Sequence, residues 1–250
     1  MLMRMKGHNA FMPCRMCRIS GVRIPNKPRV TTHYIPLDRK EHPSVLSDAA
    51  ATKVFEPTSL PLRSHEQIIR EAKAIESAPT AMAASALAHD SGINGTSILY
   101  ALPSISFPTS FPYDFMHLVF ENVMKQLILL WTDGIKDLGE GKVKYHLLKD
   151  VWAAIGEATG LSGKTIPSMF TGSPPNCAEP KGAATADSWS FWLLYLGPRL
   201  LARHFRDERC YAHFVALSRL VHTCLQFSIT KQEIAELRRG FADWVVQYEE

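Results

Sequence analysis

Apolar residues recur at intervals of three and four along much of the chain, in stretches bounded by capping residues, proline or glycine. This spacing places apolar side chains on one face of a helix, so it predicts helices rather than strands. Ser64 with Gln67 and Thr230 with Glu233 are capping-box pairs that mark helix starts, and Gly197-Pro198 is expected to kink its helix. The predicted helices span residues 64–77, 80–89, 114–131, 143–159, 185–204, 208–227 and 231–249.

Two segments lack helical spacing. Residues 1–46 contain two short extended pieces, 22–24 and 30–35, separated by turn residues, which predicts a small hairpin. Residues 98–111 are apolar but interrupted by prolines, which exclude a regular helix or central strand and predict a buried, mostly extended crossing. The expected fold class is mainly α with a small irregular β region in front. The expected regions are 1–46, 47–112 and 113–250.

Composition narrows the class of protein. Apolar residues make up 46% of the chain and charged residues 21%, which is typical of a folded protein rather than a disordered one. The sequence has no apolar run long enough for a transmembrane helix or a secretory signal. Its cysteines are odd in number and scattered, which argues against a secreted disulfide scaffold. We therefore expect a nuclear or cytosolic protein that is not secreted and has no membrane partner.

The positive charge is concentrated at the N-terminal end. The first fifty residues hold nine Lys and Arg against three Asp and Glu, whereas the other two hundred hold nineteen against twenty-one. This asymmetry favours a polyanion partner, such as DNA, for the N-terminal region. A second basic stretch, 199–209, is interpreted as a solvated helix end, with contact to a nucleic-acid backbone as the alternative. The residues expected to contact DNA phosphates are Arg15, Arg18, Arg23, Lys27 and Arg29.

A Cys-x-x-Cys turn, Cys14 to Cys17, is the first candidate site. Such a turn presents two thiolates to one tetrahedral metal ion, and zinc takes two further ligands from Cys or His. His8 and His33 are the candidate additional ligands, although no second pair has a standard zinc-finger spacing. The alternative interpretation is a pair of reduced cysteines in a turn.

The second candidate site is the predicted helix that follows Pro112. At 100° per residue, Asp114, His117 and Glu121 fall within about 60° of one another, while Met116 groups with Phe120 on a different, buried side. Carboxylate oxygens on one face suit magnesium or manganese, and the imidazole suits a metal or a phosphate. The alternative is that Asp114 is simply the N-cap of the helix and the other two side chains are solvated.

Short motifs that include both candidate sites run along nearly the whole chain. They are Gly7-His8-Asn9-Ala10-Phe11, Pro13-Cys14-Arg15-Met16-Cys17, Gly21-Val22-Arg23-Ile24-Pro25, Thr32-His33-Tyr34-Ile35-Pro36-Leu37-Asp38, Leu60-Pro61-Leu62-Arg63, Ser106-Phe107-Pro108, Phe111-Pro112-Tyr113-Asp114-Phe115-Met116-His117, Trp152-Ala153-Ala154-Ile155-Gly156 and Trp189-Ser190-Phe191-Trp192. Together they resemble the CACTA-type (En/Spm) transposases of basidiomycete genomes. The Cys-x-x-Cys block and the Asp-Phe-Met-His helix are the specific parts of this resemblance.

The resemblance implies a ribonuclease-H-like fold with a helical extension and a DNA strand-cleavage and strand-transfer reaction. In that family, three acids hold two divalent metal ions, Mg²⁺ or Mn²⁺, that activate the nucleophile and stabilise the leaving oxygen. The last acid sits on a helix behind an insertion that carries the Cys-x-x-Cys, so the helix starting at Asp114 is the match. The resemblance leaves open whether Asp114 or Glu121 is the metal ligand. It implies that His117 assists, either at that metal or beside Cys14 and Cys17.

The sequence departs from the family's pattern at its N-terminal end. The family's first two acids lie upstream of the Gly-His-Asn-Ala block, whereas this sequence has no acid before Asp38, and its last helical pattern stops at Glu250 without a stop signal. We therefore expect a fragment of a transposase catalytic domain that is inactive by itself. The alternative functions are a non-catalytic zinc-knuckle helical module that binds nucleic acid or protein, and a helical scaffold without chemistry.

Overall fold

The computed structural model describes residues 3–7, 10–23, 32–33, 37–39, 54–135, 144–167, 172–179 and 184–250. The described chain is mainly helical, which confirms the predicted helical class. It divides into two compact units. Unit 1 comprises Met1–Pro112 with Glu249, and unit 2 comprises Tyr113–Tyr248 with Glu250.

A pair of helices forms the core of unit 1. Helix α1 spans His65–Glu76 and begins where the Ser64 side chain accepts the Gln67 N–H, and helix α2 spans Ala81–Ser91. Both helices lie where the apolar spacing predicts them, because their caps and their periodicity are local in sequence. Their apolar faces pack together around a common set of buried side chains: Ile68, Ile69, Ala72, Ile75, Ala88, Ile93 and Phe107.

The non-helical parts of unit 1 include short paired segments. Strand β1 (Val22–Arg23) pairs antiparallel with strand β2 (Thr32–His33), in agreement with the predicted hairpin. Near the N-terminus, the buried Met5 forms an antiparallel bridge with Ile93, immediately after α2. These contacts place the N-terminal chain beside the α1–α2 pair.

The expected buried, extended crossing over 98–111 is wrong for most of its length. Ile98–Ala101 form a 3₁₀-helix, and the Ile98 side chain is 82% exposed. Phe107 and the adjoining Pro108 are the buried residues of this segment; the Phe107 N–H donates to Nδ1 of His65, and its ring stacks on the same imidazole. The prolines divide the segment into turns, so one anchoring ring is buried instead of a continuous apolar face.

Unit 2 is a bundle of helices with two π-helical stretches. The first π-helix spans Met116–Val123, and the second spans Trp192–Leu196. The predicted 143–159 helix begins later, at Lys149, after a turn at 144–145 and an irregular stretch at 146–148. The α-helices of unit 2 are α3 (Met124–Trp131), α4 (Lys149–Ser162), α5 (Ala186–Phe191), α6 (Gly197–Leu200), α7 (Glu208–Cys224) and α8 (Lys231–Glu249).

The first π-helix changes which residues face the core. A π-helix bonds residues five apart instead of four, and the rings of Phe115 and Phe120 accordingly meet at 5.9 Å between centroids. In an α-helix, Met116 would pack beside Phe120, because it stands four residues before it. In the π-helix, Phe115 takes that position, and Met116 is 47% exposed. The predicted grouping of Met116 with Phe120 is wrong for this reason.

Aromatic side chains fill the core of unit 2. Trp192 is fully buried between the rings of Trp152 and Phe214, and its indole N–H donates to the Thr159 hydroxyl at 3.2 Å. This hydrogen bond satisfies a polar group that burial would otherwise leave unpaired. Among the described helices, none has the length and apolarity needed to cross a bilayer.

Gly92 ends α2 in a left-handed conformation, with φ at +73°, and a Cβ there would lie 1.9 Å from the Met12 carbonyl oxygen. We predict that Gly92→Ala lowers the free energy of unfolding of unit 1 by at least about 1 kcal/mol, from backbone strain and this overlap. All five tryptophans lie in unit 2. Denaturant unfolding should therefore shift in far-UV circular dichroism while the tryptophan transition stays in place.

Gly7→Ala is the matched control, because a Cβ at Gly7 has no neighbouring atom within 4 Å. Equal stability of the Gly92 and Gly7 variants would contradict the close approach of the backbone at Gly92.

Candidate functional sites

The Cys-x-x-Cys turn lies in the cysteine loop, residues 10–18, which is tied to the segment before α1. The backbone N–H of Cys17 donates to Sγ of Cys14 at 3.2 Å, so the turn closes on its own sulfur. Cys17 forms an antiparallel bridge with Leu62, flanked by backbone hydrogen bonds of 2.8 and 2.9 Å between the loop and residues 61–63. The cysteine loop is therefore held by backbone hydrogen bonds to residues 61–63.

The side chain of Arg63 lies inside the cysteine loop. It is completely buried, and its Nε donates to the carbonyl oxygens of Cys14, at 3.0 Å, and Cys17, at 3.2 Å. Its Nη1 lies 3.9 Å from the Glu71 carboxylate, and neither Nη atom makes a hydrogen bond within the described residues. Burial lowers the pKa of this guanidinium from its usual value. A single cation thus holds the carbonyls of both cysteines.

The Cys14 thiol affects the ionisation of Cys17. The pKa of Cys17 is raised well above that of an ordinary thiol, chiefly by its hydrogen bond with Cys14 and then by burial. A metal cation reverses this tendency, because coordination deprotonates a thiol outright. The closed turn and the amide-to-sulfur hydrogen bond fit a two-thiolate metal subsite. No disulfide joins the cysteines.

The other predicted zinc ligands stay untested. His8 lies outside the described residues, and His33 lies on β2, opposite Val22 of β1. Across the described ranges, no group of three or more His, Cys, Asp and Glu side chains is arranged to hold a metal ion. The zinc site therefore stays a prediction, with Cys14 and Cys17 as the pair that the structure brings together.

Two of the predicted DNA-contacting residues make contacts within unit 1. The Arg15 guanidinium donates to the Pro112 carbonyl oxygen at 2.7 Å, and the Arg18 guanidinium lies 3.2 Å from the Glu71 carboxylate. Both guanidinium groups thus already have a hydrogen-bond or ion-pair partner within unit 1. Arg23 lies on β1, whereas Lys27 and Arg29 lie outside the described residues. Their contact with DNA stays a prediction.

Asp114, His117 and Glu121 do lie together at the start of the first π-helix. Oδ1 of Asp114 accepts the N–H groups of Met116 and His117, at 3.0 and 3.2 Å, so Asp114 caps the helix. Its Oδ2 accepts Nδ1–H of His117 at 2.8 Å, while Nε2 of His117 lies 3.7 Å from the Glu121 carboxylate. The imidazole therefore sits between two carboxylates.

These contacts favour the charged forms of His117 and Asp114. The hydrogen bond that His117 donates to Asp114, the charge of Asp114 and then that of Glu121 raise the pKa of His117, and the same hydrogen bond lowers the pKa of Asp114. Every oxygen of Asp114 already accepts a hydrogen bond, whereas Glu121, among the residues that the structure describes, is held by its longer contact with His117. Glu121 is thus the carboxylate of this cluster that is better placed to bind a cation.

Two features of these sites were not predicted from the sequence. They are the burial of the Arg63 side chain and the π winding of the helix after Asp114. Arg63 stands between Leu62 and the N-cap Ser64, a position that marks a helix start but does not indicate burial. The π winding depends on how unit 2 packs, because the residues of that helix suit α winding equally well.

Comparison of the chain with protein-family models, with curated proteins and with solved structures finds no match.

Replacing Arg63 should open the cysteine loop. In Arg63→Met, the carbonyl oxygens of Cys14 and Cys17 lose their donor, at a cost of about 1–3 kcal/mol for each buried group. We predict that iodoacetamide then alkylates these two thiols about tenfold faster or more, as measured by mass spectrometry of their peptide. Cys224 of α7 is the internal reference, and the exposed Arg70 supplies the control variant Arg70→Met. Unchanged alkylation would refute the role of Arg63.

Removing the Asp114 charge should lower the pKa of His117. The expected order is a larger fall in Asp114→Asn than in Glu121→Gln, because Asp114 contributes the hydrogen bond and the nearer charge. Since the folded pKa of His117 is raised, its contribution to stability is fully present below about pH 6.5 and is lost as the pH rises through the folded pKa. An NMR titration of the imidazole measures both variants. A larger fall in Glu121→Gln would contradict the geometry.

Proposed function

We propose that the chain is part of the catalytic domain of a CACTA-type DNA transposase, with a ribonuclease-H-like fold in the intact domain. It carries the cysteine insertion and the helix of the last catalytic acid. The observation that supports this most is the cluster of Asp114, His117 and Glu121, which opens a helix at the motif where the resemblance is most specific. π-helical turns in proteins are also frequent at functional sites.

Glu121 is the proposed metal ligand of the cluster. Asp114 is taken up by capping the helix and by its hydrogen bond with His117, so it positions the imidazole instead. In the intact enzyme, a bound Mg²⁺ or Mn²⁺ ion would supply the charge that stabilises the developing oxyanions of phosphodiester cleavage. His117 would hold Glu121 in place and, when protonated, compete with the cation.

Catalysis in this reaction class needs three acids, and the sequence contains none before Asp38. A site with one acid of three binds divalent metal weakly, so we expect the 250-residue chain, tested alone, not to cleave DNA. Its partner in the intact protein would be the transposon end, and its location nuclear.

The cysteine loop is the proposed structural zinc site of the same domain. Cys14 and Cys17 would be two of its ligands, and Arg63 fixes their backbone from the protein side. His8 and His33 remain the proposed further ligands.

A second candidate is a zinc-knuckle helical module that binds nucleic acid without catalysis. The observation that favours it is that the cysteine loop is organised entirely within unit 1, by Arg63 and the chain before α1. Such a module needs no contribution from Glu121.

Manganese binding separates these two functions. We predict that Mn²⁺ broadens the NMR signals of residues 115–122 and that Glu121→Gln weakens this binding about tenfold or more, since even outer-shell changes alter metal affinity by that factor. Glu157→Gln, on the exposed face of α4, is the matched control and should bind Mn²⁺ as the unchanged chain does.

A nicking assay on supercoiled DNA with Mg²⁺ or Mn²⁺ accompanies the binding measurement. Zinc bound through Cys14 and Cys17 without any Mn²⁺ effect at Glu121 would favour the non-catalytic module. Nicking that Glu121→Gln abolishes would establish a transposase-type nuclease and refute the expected inactivity of the chain.

A further inference from the structure

A group of exposed cations extends from α6 to the segment before α7 in unit 2. Arg199, Arg203, His204 and Arg206 are all exposed, and they define the basic turn, residues 199–206. Within the described part of the chain, none of its three arginines forms an ion pair. This differs from the N-terminal Arg15 and Arg18, whose guanidinium groups already contact groups of unit 1.

Two buried side chains fix the conformation of the basic turn. Leu201 is fully buried, and Phe205 is 5% exposed with its ring 5.4 Å from that of Trp131. Arg203, between them, has a φ of +66°, a conformation that non-glycine residues adopt only when their surroundings impose it. The cations are thus displayed on an anchored turn rather than on a loose loop.

The carboxylates near the basic turn do not neutralise it. Asp207 accepts bidentate hydrogen bonds from Arg209, the shortest at 2.7 Å, and this pairing lowers the pKa of Asp207 to about 2. The positive charge of Lys144, from before α4, also acts on Asp207. Glu208 opens α7 just after the turn, and the charge of Glu250 acts on Arg209 rather than on an arginine of the turn.

We propose that the basic turn binds the sugar–phosphate backbone of duplex DNA. The guanidinium forks of its three arginines suit bidentate contact with phosphate oxygens, which a point-charge ammonium does not provide. The surface goes beyond the proposed function, since it lies on a different segment from both the acid cluster and the cysteine loop. It also revises the interpretation of residues 199–209 as a merely solvated helix end.

The chemistry of the basic turn favours DNA over a membrane or a protein partner. Membrane-surface segments insert exposed apolar side chains into the interface, and protein interfaces depend on buried apolar anchors. The apolar side chains Leu201 and Phe205 of this turn are buried in unit 2 and are not offered to a partner. Contact with DNA phosphates needs only positive charge and hydrogen-bond donors.

The test is the salt dependence of binding to a fluorescent DNA duplex, measured by anisotropy. We predict that the double variant Arg203→Asn/Arg206→Gln reduces the slope of log affinity against log salt by about 2, one for each lost phosphate contact. Asn tolerates the left-handed backbone at position 203, and tryptophan fluorescence checks that unit 2 is folded. The single variant Arg206→Gln, which leaves Arg203 unchanged, should reduce the slope by about 1.

Arg238→Gln/Arg239→Gln is the control of equal charge, because both arginines are exposed on α8 away from the turn in sequence. An equal loss of slope in this control, or none in the turn variants, would overturn the proposal. So would turn variants that lose binding to phosphatidylserine vesicles but not to DNA, since that result assigns the turn to a membrane. The manganese experiment involves no DNA, so failure here leaves the proposed function to be judged separately.

Discussion

Burial of the Arg63 guanidinium is the constraint on which unit 1 depends. Removing a cation from water costs several kcal/mol unless hydrogen bonds and counter-charges replace the solvent. The Nε bonds to the carbonyls of Cys14 and Cys17, together with the charge of Glu71, supply part of that compensation. The cysteine loop must turn its carbonyls inward to do so, and Gly92 must come close to the loop without a side chain. The position of the thiols is therefore a consequence of satisfying one buried charge.

The two units use positive charge in opposite ways. In unit 1, Arg63 and Arg18 share the Glu71 carboxylate, so the cations stabilise the fold. In unit 2, the arginines of residues 199–206 face solvent on an anchored turn, while the nearest acid, Asp207, is occupied by Arg209. The distribution of charged residues along the sequence places the basic region at the N-terminus. A polyanion, however, binds most readily to the cations that the fold has not already paired with acidic groups.

Local signals explain the parts of the fold that sequence predicts. Helices 65–76 and 231–249 begin at side-chain caps and have regular apolar spacing, so their positions need no tertiary information. The grouping of Asp114, His117 and Glu121 also follows from spacing, and survives because three- and four-residue neighbours stay close in either winding. The burial of a side chain, in contrast, is not determined by its neighbours in sequence. The exposure of Ile98 depends on which neighbours the fold brings near, and a single sequence does not contain that information.

The first π-helix carries a consequence for insertions and deletions. A π turn is an α-helical turn with one extra residue. Its hydrogen bonds have poorer geometry, so it persists where packing or function compensates for that loss. If the present residues wound as an ordinary α-helix, everything before the turn would rotate by about 100° relative to the core; deleting one residue between Met116 and Phe120 would instead allow α winding and keep Phe115 against Phe120. Such a rotation would turn Asp114 away from its present direction. The orientation of the acid cluster is thus encoded in the number of residues in this turn as well as in their identity.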